Sequence, residues 1–437
     1  MRDVNPAEPR RQHRVLARRA AARLSVISLF ALVLVAPGAQ AATPRAAGPG
    51  AQAASAGCAA PSSARSAADP LALSPAPGGN PLSGASFFVD GPSHGVAAGE
   101  IARLLGIDAD VPIGHYLPAF SDDESWAHFL DTTVASRLAQ ASATVQAQVA
   151  ELEKIASEPE AQRISIFSEG GSPAGIAAFT NKLFCHNFTA DPGTVPIITT
   201  YLMHPVLGGC SSTAQINAYM PLFRRRVNAI VTTTGTRRVV YLLELDAVGS
   251  SSCMASHGSL PAWERMLRYE VDRMATLPHA VVYVEGGYSD ANNPAYAARI
   301  LNAADIHKIR GFFTNDTHMN WTSREIAYGL AISRRTHGAH FIVNTAQNGH
   351  GPKLNPHPTR QGVEDLCNPP GRGLGPQPTT STGYPAVDAF LWTYPPGNSS
   401  GSCHGGPPSG TWWPARALAL ASAANGQLGP GLPSRPY

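Results

Sequence analysis

Residues 239–247 read Val239-Val240-Tyr241-Leu242-Leu243-Glu244-Leu245-Asp246-Ala247. The first five are β-branched, aromatic or aliphatic and leave no polar face, so the run predicts a strand buried on both sides. Similar runs recur at 196–201, 280–284, 311–314, 340–343 and 387–392, separated by helical stretches. One such stretch is an amphipathic helix from Val134 through Ile155, stopped near Pro159. Alternating strands and helices predict an α/β barrel or a doubly wound sheet. The runs end in polar groups: Glu244 and Asp246, then Glu285, then Asn315 and Asp316, then Asn344. Catalytic groups of (β/α) barrels sit at the C-terminal ends of strands. That favours a distorted (β/α) barrel of mostly parallel strands in a single catalytic-type domain. Strand alternation would put Glu244 and Asp246 on one face, where two carboxylates raise each other's proton affinity.

The chain has 437 residues, 43% hydrophobic and 14% charged, enough for one large core. A net charge of +3, with much of the Arg in the first segment, provides no basic face for nucleic acid. Residues 1–41 predict a signal peptide. Arg10, Arg11, Arg14, Arg18, Arg19 and Arg23 precede an apolar run over 24–36, and Ala39-Gln40-Ala41 is a small-x-small cleavage site. The apolar run is shorter than the ~20 residues a membrane span needs. The mature chain is therefore expected to be secreted, with no membrane attachment after signal cleavage. Residues 42–79, rich in Ala, Pro, Ser and Gly, predict a flexible linker, leaving a domain over 80–437. Of the six cysteines, none forms a C-x-x-C pair, so disulfides are expected rather than a metal or redox site. Six cysteines allow 15 pairings, and spacing alone does not choose among them.

The block 239–247, with Cys253 following, resembles the E-P-D-A or E-P-D-S block of glycoside hydrolase family 6, the family of cellobiohydrolases and endoglucanases. Further similarities follow in the family's order. Asn80-Pro81-Leu82-Ser83-Gly84 with Phe88-Val89-Asp90 is similar to the start of its domain, and Val282-Tyr283-Val284-Glu285-Gly286-Gly287 to V-Y-L-D-A-G. Gly311-Phe312 with Asn315 is similar to G-F-A-L-N. The longest similarity is Cys367-Asn368-Pro369-Pro370-Gly371-Arg372-Gly373-Leu374-Gly375, continuing through Asp388-Ala389-Phe390-Leu391-Trp392 to Cys403. The resemblance implies inverting hydrolysis of β-1,4-glucosidic bonds in cellulose or a related polysaccharide by a monomer, with no cofactor and no metal. It implies Asp246 as general acid, Asn315 as a sugar-binding residue, and Tyr288, Tyr394 and Asn398 at further substrate-binding positions. It also implies disulfides joining Cys210 to Cys253 and Cys367 to Cys403; Cys58 and Cys185 have no counterpart. In such a reaction an acid protonates the leaving oxygen while a base activates water across the sugar, with the carboxyls typically ~6.5–9.5 Å apart.

The departures from the family fall in the site. Gly209 stands for the aspartate of R-D-C, and Asn398 and Ser400 for the Glu and Asp of P-G-E-S-D-G. Tyr394 replaces a lysine, Gln347 an arginine, Leu366 a tryptophan and Tyr288 a histidine. Glu285, Asp290, Asp316 and His404 are the polar residues available to replace the missing base. The competing expectations are a glycan-binding protein that keeps the fold without catalysis, and a hydrolase of a different cell-wall polysaccharide.

Overall fold

The computed structural model describes residues 79–91, 95–107, 134–207, 210–359 and 362–430. The expected signal peptide, the linker up to residue 78, Cys58 and Gly209 lie outside the described residues.

Seven strands form one parallel sheet: β1 (Gln162–Ser165), β2 (Ile197–Tyr201), β3 (Val239–Leu243), β4 (Ala280–Glu285), β5 (Gly311–Thr314), β6 (His340–Asn344) and β9 (Val387–Leu391). They lie in chain order, so every connection crosses over through helix or loop. An antiparallel hairpin, β7 (Leu354–Thr359) and β8 (Gly362–Glu364), interrupts the path between β6 and β9.

Alternate residues of each strand enter different clusters. Val239, Tyr241 and Leu243 of β3 pack outward on the helices, as do Val282 and Val284 of β4 and Phe312 of β5. Val240, Leu242, Val281, Tyr283, Phe313, Ile342, Ala389 and Leu391 pack on one another inside. A sheet whose inner face packs on itself is curled. Its edges meet where the Ala161 N–H donates to the Trp392 carbonyl at 3.0 Å, beside a parallel Glu160–Trp392 bridge. The result is a distorted α/β barrel.

The outer helices start where side chains satisfy their first N–H groups. Ser172 caps Pro173–Ala190, Asn293 caps Pro294–Ala303, and Ser212 with Gln215 closes a capping box on Thr213–Thr234. A separate layer of Val96–Leu104, Ala143–Ala156 and Pro414–Ser422 joins Trp392 and Trp412 in an apolar cluster at the seam. The helix expected from Val134 as one piece is two, Ala135–Leu138 and Ala143–Ala156. The apolar spacing continues through the break, but the Ser142 hydroxyl accepts the Val145 N–H and restarts the helix there.

At the N-terminal ends of the strands, Arg310 pairs with Asp388 at 2.7 Å and donates to the Gly79 carbonyl, while Asn80 donates to the Asp388 carbonyl. Leu82 is fully buried in the barrel's inner cluster. Disulfides join Cys210 to Cys253 and Cys367 to Cys403, with Cα separations of 5.3 and 6.0 Å. They close loops of 43 and 36 residues; in the chain-entropy account each stabilises by about 3–4 kcal/mol. Cys185 is half-buried on Pro173–Ala190, beside Asn181.

Candidate active site

The C-terminal rim gathers its carboxylates through unusual backbone. Glu244 (φ 54°), Asp246 (φ 63°) and Asn315 (φ 67°) all adopt the left-handed conformation that side chains disfavour. The chain leaves strand geometry at Glu244, so the two-residue alternation that would align it with Asp246 no longer applies. Glu244 turns into the protein, where its oxygens accept the N–H groups of Leu202 and Met203 at 2.8 and 2.7 Å. It lies beside Glu270 of the helix Leu260–Met274, and both are fully buried. Burial pushes the Glu244 carboxyl up to about 7, while its backbone partners hold it back. Glu270 is pushed well above the carboxylate range by burial and then by Glu244. The expected pairing of Glu244 with Asp246 is therefore replaced by a pair inside the fold.

Asp246 remains half-exposed at the rim. Its Oδ1 accepts a hydrogen bond from the Tyr288 hydroxyl, and Thr317 Oγ1 lies 3.0 Å from both that oxygen and the Tyr288 hydroxyl. Its own N–H donates to Asp316 Oδ2 at 3.1 Å. Asp316 is fully buried, and its Oδ1 has no hydrogen-bond partner. Burial first, and the Asp246 charge second, push the Asp316 carboxyl up to about 7. Below the pair, Glu285 accepts the N–H groups of Val248 and Gly249 at 2.5 and 3.1 Å, and that of Gly287. It shapes the loop that follows Asp246, and burial, Asp316 and Asp246 push its carboxyl well up.

Tyr288 stacks on His318, with ring centroids 3.8 Å apart and planes 11° apart. His318 pairs with Asp290 at 2.9 Å. Burial pushes the Asp290 carboxyl up, but His318 and Asn320 together bring it below the ordinary value. The Tyr288 ring reaches Asp246 because residue 249 is glycine: a Cβ there would lie 2.4 Å from Cε2 of Tyr288.

Of the substrate-binding expectations, Tyr288 joins Asp246, but as a buried positioning group with 3% exposure. Tyr394 is half-buried on the same rim; burial, opposed by Arg416 and reinforced by Asp316, raises its hydroxyl. Asn315 corrects the expectation of sugar contact. Its side chain is fully buried and binds the Asn320 and Asn344 carbonyls and the Asn320 N–H, tying one loop to the next strand. Asn398 lies in a separate loop, bridged to Trp412. His404 is largely exposed and partners Asp365 at 3.0 Å. The arginine absent at Gln347 is answered from elsewhere, since Arg416 of Pro414–Ser422 donates to Gln347 Oε1 at 2.5 Å.

Three rim residues escaped the sequence reading. Tyr201 ends β2, and burial and then the Asp246 charge raise its hydroxyl. His204 stands 5.0 Å from it, centroid to centroid, with its imidazole held low by burial against the pull of Asp246. Thr317 is the third. Tyr201 carried the same signal as the others, a polar group closing an apolar run. As for metals, His257 lies beside the sulfurs of Cys210 and Cys253, but those sulfurs are bonded to each other and offer no thiolates.

A curled parallel barrel with a half-exposed carboxylate backed by buried ones at its C-terminal rim has the layout of a barrel enzyme's active face. The chain belongs to glycosyl hydrolases family 6, whose family model matches residues 123–424. It is 28% identical over 274 residues to endoglucanase A of Cellulomonas fimi, covering 62% of this chain and 56% of that relative. It is 29% identical over 278 residues to endoglucanase 1 of Streptomyces sp. (strain KSM-9), covering 62% of this chain and 70% of that relative. The chain thus spans little more than half the length of the Cellulomonas relative. Among solved structures, the endoglucanase Cel6 from Mycobacterium tuberculosis, in complex with methyl-cellobiosyl-4-deoxy-4-thio-β-D-cellobioside, is 30% identical. That match has a TM-score of 0.54 and covers 65% of this chain and 94% of that one. Endoglucanase CEL6B from Humicola insolens, at 19% identity and TM-score 0.55, shares the fold.

Proposed function

We propose that this chain is a secreted glucanase that hydrolyses β-1,4-glucosidic bonds of cellulose or a related polysaccharide with inversion, Asp246 being the general acid. The observation that carries the reading is the placement of Asp246. Asp246 is half-exposed at the rim and, unlike Asp290, which pairs with His318, it is oriented by Tyr288 and Thr317 with Asp316 and Glu285 buried beside it. Asp246 would give its proton to the glycosidic oxygen as the C–O bond breaks. A water would bond to the anomeric carbon from the other face and release its proton to solvent. Asp316 and Glu285 are fully buried and do not meet that water in this conformation. Losing a proton-transfer group typically costs ~10²–10⁴ in rate, so the enzyme is expected to be slow. The arrangement 1–41 leader, 42–79 linker and 80–437 domain accompanies this reading, as do export through the arginine-flanked apolar run and action as a monomer. Among the described residues, no helix is long and apolar enough to cross a membrane.

A second reading, a glycan-binding protein without catalysis, is favoured by Asn398 and Ser400, which leave the 396–401 loop without a carboxylate. Reducing-sugar release from a panel of β-glucans and cell-wall polysaccharides, beside Asp246→Asn, separates the two. Release that vanishes in the variant supports the hydrolase. Binding without release by both proteins supports the binder.

A further inference from the structure

We propose that Asp316 is the proton-holding partner of Asp246, keeping the acid loaded at neutral pH through the Tyr288 hydroxyl. This rests on the reading of Asp246 as the acid, and it concerns a carboxylate from a different strand end.

Three observations support it. Asp316 is tied to the acid's own loop by the hydrogen bond from the Asp246 N–H, so the two carboxyls move together. Its second oxygen is buried without a partner, a placement that penalises the ionised form far more than the neutral acid. The Tyr288 hydroxyl donates to Asp246 and also acts electrostatically on Asp316.

The groups facing Asp316 are Asp246, Glu285, Tyr288, His318, Tyr201 and Tyr394. Three of these are tyrosines, neutral near pH 7, and the Asp246 charge repels one on Asp316; His318 opposes it only when protonated. Two close carboxyls that cannot both ionise titrate as a pair and hold one proton between them. The half-exposed Asp246 is the member that reaches substrate. At rest the shared proton is on Asp316; the Tyr288 hydroxyl gives its proton to Asp246 and takes the one from Asp316, and Asp246 then passes it to the leaving oxygen. Asp316 is recharged from solvent by the reverse path after the products leave.

The test is the pH profile of kcat/KM for the mature chain and for Asp316→Asn, which is isosteric and removes the carboxyl that holds the proton. Two substrates are used: a β-1,4-glucan, and 2,4-dinitrophenyl β-cellobioside, whose leaving group departs without an acid. Asp316→Asn is expected to move the basic limb on the glucan down by about one pH unit or more, lowering the rate at pH 7 roughly tenfold. The rate on the dinitrophenyl substrate should be unchanged. Superimposable glucan profiles, or equal losses on both substrates, overturn the proposal. If neither substrate is cleaved by the unmodified protein, the glucanase reading falls, and the proton is read by infrared difference spectroscopy instead. A neutral-carboxyl band that titrates near pH 7, vanishes in Asp316→Asn and titrates lower in Asp246→Asn would support the pairing. Absence of that band would overturn it.

Discussion

Two carboxylate pairs, built from residues two apart on the same turn, behave differently. Glu244 and Glu270 are both fully buried, and Glu244 spends its oxygens on the backbone that leads from β2 into the helix His204–Leu207. Asp316 carries a similar electrostatic burden, but its neighbour Asp246 takes hydroxyl partners and stays half-exposed. Glu244 and Asp316 are each pushed to about 7, so a raised proton affinity does not by itself distinguish structure from chemistry. What distinguishes them is the kind of donor and the access of substrate. Backbone donors fix a carboxylate in one place, whereas hydroxyl donors can exchange protons with it.

Asp246→Asn breaks the comparison on the chemical side. Glucan hydrolysis should fall by ~10²–10⁴, with thermal melting nearly unchanged because the side chain is half-exposed; an active variant would remove Asp246 from the acid's role. Glu244→Ala breaks it on the structural side. It leaves the Leu202 and Met203 N–H groups without an acceptor, at about 1–3 kcal/mol each. Denaturant unfolding would register this, and an unchanged midpoint would contradict it. The pairs act together in the third prediction. Glu244 and Asp316 ordinarily titrate at 4.5 and 3.8 but are held at about 7 in the fold. Between those limits the folded protein binds more protons than the unfolded chain, so its stability should decline as pH rises from about 4 to 7. Asp316→Asn should flatten that decline, as melting curves across the range would reveal. The smallest effect belongs to Gly249→Ala, which crowds the Tyr288 ring off Asp246. It should slow hydrolysis no more than roughly tenfold and leave the fold intact, as circular dichroism would check.

Six of the seven barrel strands were legible because each is apolar on both faces. β1 was not: Gln162-Arg163-Ile164-Ser165 has one large apolar residue, and its first two positions are polar, one half-buried and one exposed. The hairpin strand β7 contains Pro356 and Pro358, which argue against a strand in sequence terms and are tolerated at an edge. At the site, the polar groups closing the runs do gather at one rim of the barrel. The pairing of Glu244 with Asp246 was misread because no periodicity announces two left-handed residues in succession on alternate positions. Asn315 was placed on the rim correctly, yet its side chain is consumed by loop carbonyls that only the fold brings near. Arg416 reaching Gln347 from 69 residues away was invisible for the same reason.

The leucine at position 82 has a wider consequence. It corks the barrel from below, held by Asn80 and by the Arg310 bond to Gly79, yet it precedes by some forty residues the stretch that matches the family. The stretch that matches the family model and the stretch that packs as one barrel therefore have different borders. A protein cut at residue 123 would keep every rim residue named above and lose the plug that seals the opposite mouth.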